Sequence, residues 1–360
     1  MILMCNEKSL LKAILFTHND LDGAGCITIF ELAHHHLVEP QEWRSIICSN
    51  DNIDEKVLTS WKKKYFNEDT VIYFADIVPS RGILESLVAS GYKVKVFDHH
   101  KTNEWISEVL YDQKIVVKNS KGQEESGTSL IYKYFLQLSI DEPYNECGFN
   151  FSPKYNTIER LQILADYVNA IRSYDTFEFK KTNNLKAKKM SILFGLLGES
   201  SLARKFTNRV LGKDGETKLF SPCEHEFIMA RMKNDALRMQ NFDTGSLKFM
   251  EVNGFKCAIK FIGGDGVSFS ELAYDYLLSH PEIDIFIGLN LAAGTYSFRS
   301  YKPNIDVSEF AEKYLNGGGH VRASGATIDN KVKDEMAKNL ILTIDKNCKD
   351  LSYDKNHILR

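Results

Sequence analysis

The sequence predicts an α/β protein with an N-terminal domain on a parallel sheet and a smaller C-terminal α/β domain. Three observations predict it. Short β-favouring apolar runs alternate with helix-like stretches through the first hundred residues, as βαβ units require. Several of these runs end on a polar residue, namely His18, Asp76 or Asp98. Beyond about residue 247 the strands crowd together and turn signals such as Asn253-Gly254 separate them.

Each element has a local reason. Residues 13–17, 45–48, 71–75 and 93–97 are apolar and rich in β-favouring side chains, and read as strands. Residues 80–90 read as a helix that begins after Pro79 and stops at Gly91. A second helix over 129–138 follows Ser126-Gly127-Thr128, whose hydroxyls can cap it. Lys180, Lys181, Lys186, Lys188 and Lys189 read as a solvated face. Segment 199–225 is polar and turn-rich, with Gly212, Gly215 and Pro222. It places an interdomain connection at 201–225, between domains over 1–200 and 226–345. A long helix over roughly 223–241 follows, then strands at 247–251, 255–262, 283–290 and 295–299, with Gly294 in a turn. No repeat of solenoid period occurs.

Composition narrows the function. A chain of 360 residues with 43% hydrophobic and 26% charged residues is an ordinary globular protein. At this length it buries roughly three quarters of its unfolded surface, so any metal serves chemistry rather than folding. Lys and Arg number 45 against 48 Asp and Glu, a net charge of −3. That lacks the basic excess of proteins that grip long duplex nucleic acid, yet allows a small anionic substrate. The seven cysteines are odd in number and widely spaced without a C-x-x-C, as reduced cytoplasmic thiols are. The N-terminus lacks signal-peptide character. No apolar run approaches the roughly 18 residues of a membrane span. The expectation is a cytoplasmic protein with no membrane partner.

The chemistry gathers where parallel strands end, the usual ligand edge of such sheets. His18-Asn19-Asp20-Leu21-Asp22-Gly23 follows the first strand, Asp76 another, and Asp98-His99-His100 a third. Asp175 supplies a further acid, with Asp166 as the competing candidate. Carboxylates brought this close repel one another and raise each other's pKa unless counter-charge intervenes. Divalent cations supply it, and oxygen ligands with some imidazole suit Mn²⁺ or Mg²⁺ better than thiolate-preferring metals. Two such ions about 3.5–4 Å apart activate water and stabilise in-line displacement at phosphorus. The pattern therefore predicts metal-assisted phosphoester hydrolysis. Taken singly, His-x-Asp-x-Asp or Asp-His-His also serves as a cap or surface pair. Their joint occurrence at successive strand ends makes the stronger signal. His34-His35-His36 reads as the surface end of a helix rather than a metal tract. Gly317-Gly318-Gly319 lets a backbone approach a ligand and expose N–H donors, although a tight turn also uses one or two glycines. Adjacent His320 and Arg299 turn that run into a phosphate clamp, with an exposed strand-edge charge as the plainer reading of Arg299.

These residues resemble the DHH phosphoesterase superfamily. His18-x-Asp20-x-Asp22-Gly23, Asp76, Asp98-His99-His100 and Asp175 look like its four motifs, in order. Ser297-Phe298-Arg299-Ser300 and Gly317-Gly318-Gly319-His320-x-x-Ala323-Ser324-Gly325 look like its associated C-terminal substrate domain. Many relatives place three residues between the histidine and the first aspartate, where this chain has one. The resemblance implies an active cleft between the domains and an activity like that of bacterial oligoribonucleases. Very short oligonucleotides (nanoRNA) would be cut to mononucleotides with two Mn²⁺ per site, or Mg²⁺. It implies that His18, Asp20 and Asp76 hold one metal. Asp22, Asp76, His99 and Asp175 hold the other. His100 contacts the scissile phosphate, and Asp98 orients a ligand imidazole. Arg299, Gly317, Gly318, Gly319 and His320 hold the substrate. The implied partners are short single-stranded oligonucleotides or dinucleotides, and a homodimer is compatible with this reading. Other relatives act on 3′-phosphoadenosine 5′-phosphate or on cyclic or linear dinucleotides, which is the alternative substrate class. A binding protein that keeps the fold without turnover is the reading from outside enzymology.

Overall fold

All four predicted N-terminal strands form, and they align in parallel in the order β2-β1-β3-β4. They are β1 (Ala13–His18), β2 (Trp43–Cys48), β3 (Val71–Ala75) and β4 (Lys93–Phe97). The computed structural model describes residues 12–34, 43–113, 115–141, 158–240, 247–262 and 269–350. His35, His36, Cys5 and Cys147 lie outside them. The chain divides into two compact units, Met1–Lys233 and Asn234–Arg360.

In the first unit the strands are apolar on both faces because both are covered. Ile14, Phe16, Ile72 and Phe74 enter one core with α2 (Ile53–Lys62), α3 (Arg81–Ala89) and the short α4 (Ile106–Val109). Their neighbours Ala13, Leu15, Tyr73 and Ala75 enter the other. That core holds α1 (Leu21–His34), α5 (Gly127–Asp141), α6 (Ile158–Asp175), α8 (Leu185–Leu197) and α9 (Glu199–Val210). The two-residue side-chain period of a strand sorts the sets. Between α6 and α8 lies one turn, α7 (Glu178–Thr182). Helix α3 starts after Ser80 and stops before Gly91, whose φ of 81° suits the left-handed region.

Helix α1 is buried all round, with only Glu31 of its residues outside the buried class. It turns back sharply from β1. A Cβ at Gly23 would lie 1.9 Å from the His18 carbonyl oxygen, so only glycine permits the turn.

Two expectations need correcting. Residues 201–225 are not a connection between domains. Leu202, Ala203, Phe206 and Val210 of α9 are buried in the core that holds α1, and α10 (Pro222–Gln240) sends Ile228 into the same core. The polar composition misled because Arg209 is itself interior, at 1% exposure. It donates to Glu224 at 2.9 and 3.1 Å, to Asp214 at 2.9 Å and to the Leu219 carbonyl at 2.7 Å. His34 does end α1, but not on the surface. It is fully buried, with Nδ1 2.8 Å from the Phe30 carbonyl and its ring against Phe30, Tyr73 and Phe135.

The second unit carries a six-stranded sheet in the order β5-β6-β7-β8-β10-β9. The strands are β5 (Lys248–Val252), β6 (Phe255–Phe261), β7 (Ile285–Asn290), β8 (Thr295–Arg299), β9 (Gly318–His320) and β10 (Ala323–Thr327). The Asn253-Gly254 hairpin forms as predicted, both residues at positive φ (53° and 83°). α11 (Phe269–Ser279) packs on one face and α12 (Val307–Leu315) on the other, and α13 (Asn330–Asp350) ends the described chain. Among the described residues no helix is long and apolar enough to cross a membrane.

Arg209→Ala leaves Glu224, 8% exposed, without its main counter-charge. Breaking such a buried pair costs about 3–5 kcal/mol. Urea unfolding should show that loss; a change below about 1 kcal/mol would mean that the network carries no stability.

Candidate metal centre

Because the four strands run parallel, their carboxyl ends share one edge. The chain leaves β1 toward β2 on one side and β3 on the other, and ligand sites form at such a reversal of strand order. His18 closes β1, Asp20 and Asp22 follow at the start of α1, Asp76 follows β3, and Asp98-His99-His100 follows β4. Asp175 arrives separately as the last residue of α6. Asp166 lies elsewhere, 2.8 Å from Lys186 on the outer side of its helix, so the choice between the two acids falls to Asp175.

The side chains converge into two sets that share Asp76. One ligand atom each from His18, Asp20 and Asp76 lie within 4.8 Å of one another, and so do atoms from Asp22, Asp76 and His99. His18 Nδ1 is 2.6 Å from Asp20 Oδ2 and 4.0 Å from Asp76 Oδ2. His99 Nε2 is 3.3 Å from Asp76 Oδ1, 3.5 Å from Asp175 Oδ2 and 4.0 Å from Asp22 Oδ2. Asp175 thus joins the second set.

The electrostatics are those of a cation site. Burial, followed by the charges of Asp20, Asp22 and Asp175, pushes the Asp76 carboxyl well above the usual range. Asp175 is pushed well up by burial and then by Asp22 and Asp20, and Asp22 is raised by burial and Asp20. For Asp20, desolvation acts upward, but the hydrogen bond and charge of His18 prevail and hold it at about 2. Burial, then the nearby His100, keeps His99 neutral down to about 3, as a metal-ligating imidazole must be. Among the described residues, Asp76 Oδ2 and Asp175 Oδ2 are buried and find no hydrogen-bond partner. Unsatisfied buried acceptors are costly, and a divalent cation is the partner that would satisfy them. The donor set, carboxylates with two imidazoles, fits Mn²⁺ or Mg²⁺.

Backbone strain collects here too. Asp76 has φ 62°, a left-handed conformation that suits Asp or Asn among side-chain-bearing residues, and its N–H donates to the Phe97 carbonyl at 3.0 Å.

The resemblance implies that Asp98 orients an imidazole, and it is His100 that Asp98 holds. Its Oδ1 accepts from His100 Nδ1 at 2.7 Å and from the His99 amide at 2.8 Å, so the imidazole that it fixes is that of His100. Asn103 donates to its other oxygen. Burial opposes protonation of His100, but the charge and hydrogen bond of Asp98 outweigh it and raise the pKa. Sequence reasoning passed over Asn103, whose offset of five residues from Asp98 carries no signal by itself. It also passed over the buried Arg172, which ties the end of α6 to the Glu124 carbonyl at 2.9 Å and to Glu178.

In the second unit, Arg299 is no exposed edge charge. It ends the interior strand β8 and its guanidinium donates to Ser270 Oγ at 2.8 and 3.1 Å, to the Phe298 carbonyl at 2.8 Å and to the Ser324 carbonyl at 3.4 Å. Gly318 and Gly319 form part of β9 with His320, and Gly317 precedes it. A Cβ at Gly317 would lie 2.1 Å from the Gly325 carbonyl oxygen, and Gly319 has φ 134°. Close strand return and backbone conformation therefore account for these two glycines. The lysines at 180–189 are partly or fully exposed, as a solvated face should be.

The raised carboxyls make a testable signature. In metal-free protein Asp22, Asp76 and Asp175 keep protons to higher pH than in the unfolded chain, so stability falls as pH rises through their raised values. His18 and His100, also raised, contribute stability below about 6.5 that is lost as pH rises through their folded values. His99, depressed to about 3, acts in the opposite direction. The melting temperature of chelator-treated protein should therefore fall as pH rises above the ordinary imidazole value of about 6.5, and less steeply in Asp76→Asn. Equal slopes in the two proteins would contradict this account.

No family model matches the chain. It is 26% identical over 328 residues to oligoribonuclease NrnB of Bacillus subtilis (strain 168), covering 88% of this chain and 73% of that one. It is 21% identical to a 3′,5′-cyclic-nucleotide phosphodiesterase of Helicobacter pylori, covering 89% and 94%. Among solved structures, exonuclease RecJ bound to manganese superposes with a TM-score of 0.50 at 14% identity, over 89% of this chain and 86% of that one. That last likeness is one of fold. Motif order, the parallel-sheet architecture and the likeness over most of the chain agree, and together they make the chain similar to the DHH phosphoesterase superfamily.

Proposed function

We propose that the protein is a divalent-metal-dependent phosphodiesterase that degrades very short oligonucleotides to mononucleotides. The observation that carries this reading is the pair of ligand sets meeting at Asp76, in which His18 and Asp20 lie on one side and Asp22, His99 and Asp175 on the other. The likeness to an oligoribonuclease supports the substrate class.

Under this reading His18, Asp20 and Asp76 hold one ion, and Asp22, Asp76, His99 and Asp175 hold a second, with Mn²⁺ as the expected metal and Mg²⁺ as its substitute. Bound there, paired divalent ions supply an activated water at neutral pH and neutralise charge developing on the phosphoryl oxygens. The remaining work belongs to the chain. The Asp98–His100 hydrogen bond keeps His100 protonated to higher pH, so its imidazolium can donate to a phosphate oxygen. The start of α1 brings the positive end of its dipole to the same edge, with the Gly23 amide donating to Asp20 Oδ1 at 2.9 Å, and that end favours an anion. The second unit would be the substrate domain, with Arg299, Gly317, Gly318, Gly319 and His320 as the residues that recognise the nucleotide. The net charge of −3 favours a short substrate over a long polymer, whose binding depends on many phosphate contacts.

A second reading keeps the chemistry and changes the substrate. The relative named as a 3′,5′-cyclic-nucleotide phosphodiesterase favours a small nucleotide phosphodiester, and 3′-phosphoadenosine 5′-phosphate belongs to the same size class.

The experiment is incubation with Mn²⁺ and end-labelled di- to pentanucleotides. Mononucleotides should accumulate, and Asp76→Asn should lower kcat/KM by at least about 10³-fold. Competition with 3′-phosphoadenosine 5′-phosphate and a cyclic nucleotide ranks the two readings. A folded, metal-loaded protein that releases no mononucleotide from any of these would leave the binding-protein reading.

A further inference from the structure

Ser126-Gly127-Thr128 marks a helix start in the sequence, yet its backbone serves a side chain from another element. Gly127 N donates to Asp22 Oδ2 at 2.6 Å, and Thr128 N donates to Asp22 Oδ1 at 3.1 Å. Both amides belong to the first turn of α5, where the helix provides no internal acceptor. The Thr128 hydroxyl also donates to the Asp22 main-chain carbonyl at 2.7 Å. Two consecutive residues therefore hold both carboxylate oxygens and the carbonyl of one predicted ligand.

The approach is sterically exact about which residue it accepts. A Cβ at Gly127 would lie 2.6 Å from Asp76 Cβ, 2.9 Å from Asp76 N and 3.0 Å from Asp22 Oδ2. Gly127 is thus wedged between Asp76 and the carboxylate of Asp22, two acids of the second ligand set, and Asp76 lies on left-handed backbone. On the far side, a Cβ at Gly25 of α1 would meet Thr128 Oγ1 at 2.1 Å, so the contact between α1 and α5 is close as well.

We infer that Gly127 and Thr128 are positioning residues for the metal centre: their amides fix the plane of the Asp22 carboxylate, and the bare Gly127 Cα sets its separation from Asp76. Each oxygen of an ionised carboxylate has two acceptor directions. One amide occupies one direction on each oxygen of Asp22 and leaves the other for a cation. A methyl group at Gly127 must move α5, Asp22 or Asp76, and any of these changes the distance that two ions would share. The contacts resemble the outer hydrogen bonds that orient ligands in other metal sites.

The inference rests on the two-cation reading, and the test separates the two. MnCl₂ alone is titrated calorimetrically into chelator-stripped wild type, Gly127→Ala, Thr128→Val and Thr128→Ser. Wild type should show two binding events. Gly127→Ala should weaken Mn²⁺ binding by about 10–100-fold. Thr128→Val, which keeps the amide but loses the hydroxyl, should weaken one event and leave the other within about twofold of wild type, while Thr128→Ser restores both. At saturating Mn²⁺ the loss should appear in kcat with KM little changed. Folded Gly127→Ala and Thr128→Val proteins that bind Mn²⁺ as wild type does would overturn the inference. So would equal weakening of both events together with a lowered melting temperature without metal, because that is loss of fold rather than of position. Wild type lacking two events removes the two-cation reading and the inference with it. If Gly127→Ala does not fold, the Thr128→Val and Thr128→Ser pair decides.

Discussion

Repulsion among carboxylates dominates this molecule. Asp20, Asp22, Asp76 and Asp175 sit at one edge of a parallel sheet, and three of them are driven toward the protonated form by burial and by one another. Such a cluster persists only if the surrounding structure over-determines it or counter-charge relieves it. Both solutions are visible. Two amides of α5 grip Asp22, the Phe97 carbonyl anchors Asp76, and the donor set is one that divalent cations favour.

The scaffold explains how the edge stays rigid. Strands β1 and β3 are buried on both faces, so neither can tilt without opening one of two cores. Helix α1 is enclosed on nearly all sides, which fixes Asp22 through backbone packing before any hydrogen bond acts. The clustered carboxylates and imidazoles therefore sit at the ends of well-packed elements or just beyond them, the arrangement that holds groups to fractions of an ångström.

Much of this was legible in the sequence, for a physical reason. Parallel strands need apolar residues on both faces, so β1, β3 and β4 stand out as short runs, and the polar residue after each run falls at the ligand edge. His18, Asp22, Asp76, His99 and Asp175 were found this way or through their motifs. What escaped depends on contacts between segments distant in the chain. Arg209 lends α9 a polar look although its charge is neutralised inside. His34 looks like surface until Tyr73 and Phe135 are seen to cover it. The orientation of Asp98 toward His100 rather than His99 is a choice between adjacent residues that no spacing encodes. The glycines at 317 and 319 combine close packing with special backbone geometry, which composition cannot separate from ligand contact.

The place of α9 has a practical corollary for dissecting the protein. Any recombinant fragment that stops near residue 200 would strip Leu202, Phe206 and Val210 from the helix that bears Asp22 and leave a greasy trough on its own surface. Such a trough invites self-association. A catalytic fragment meant for crystallisation or screening should instead extend to about Lys233, where the first compact unit closes.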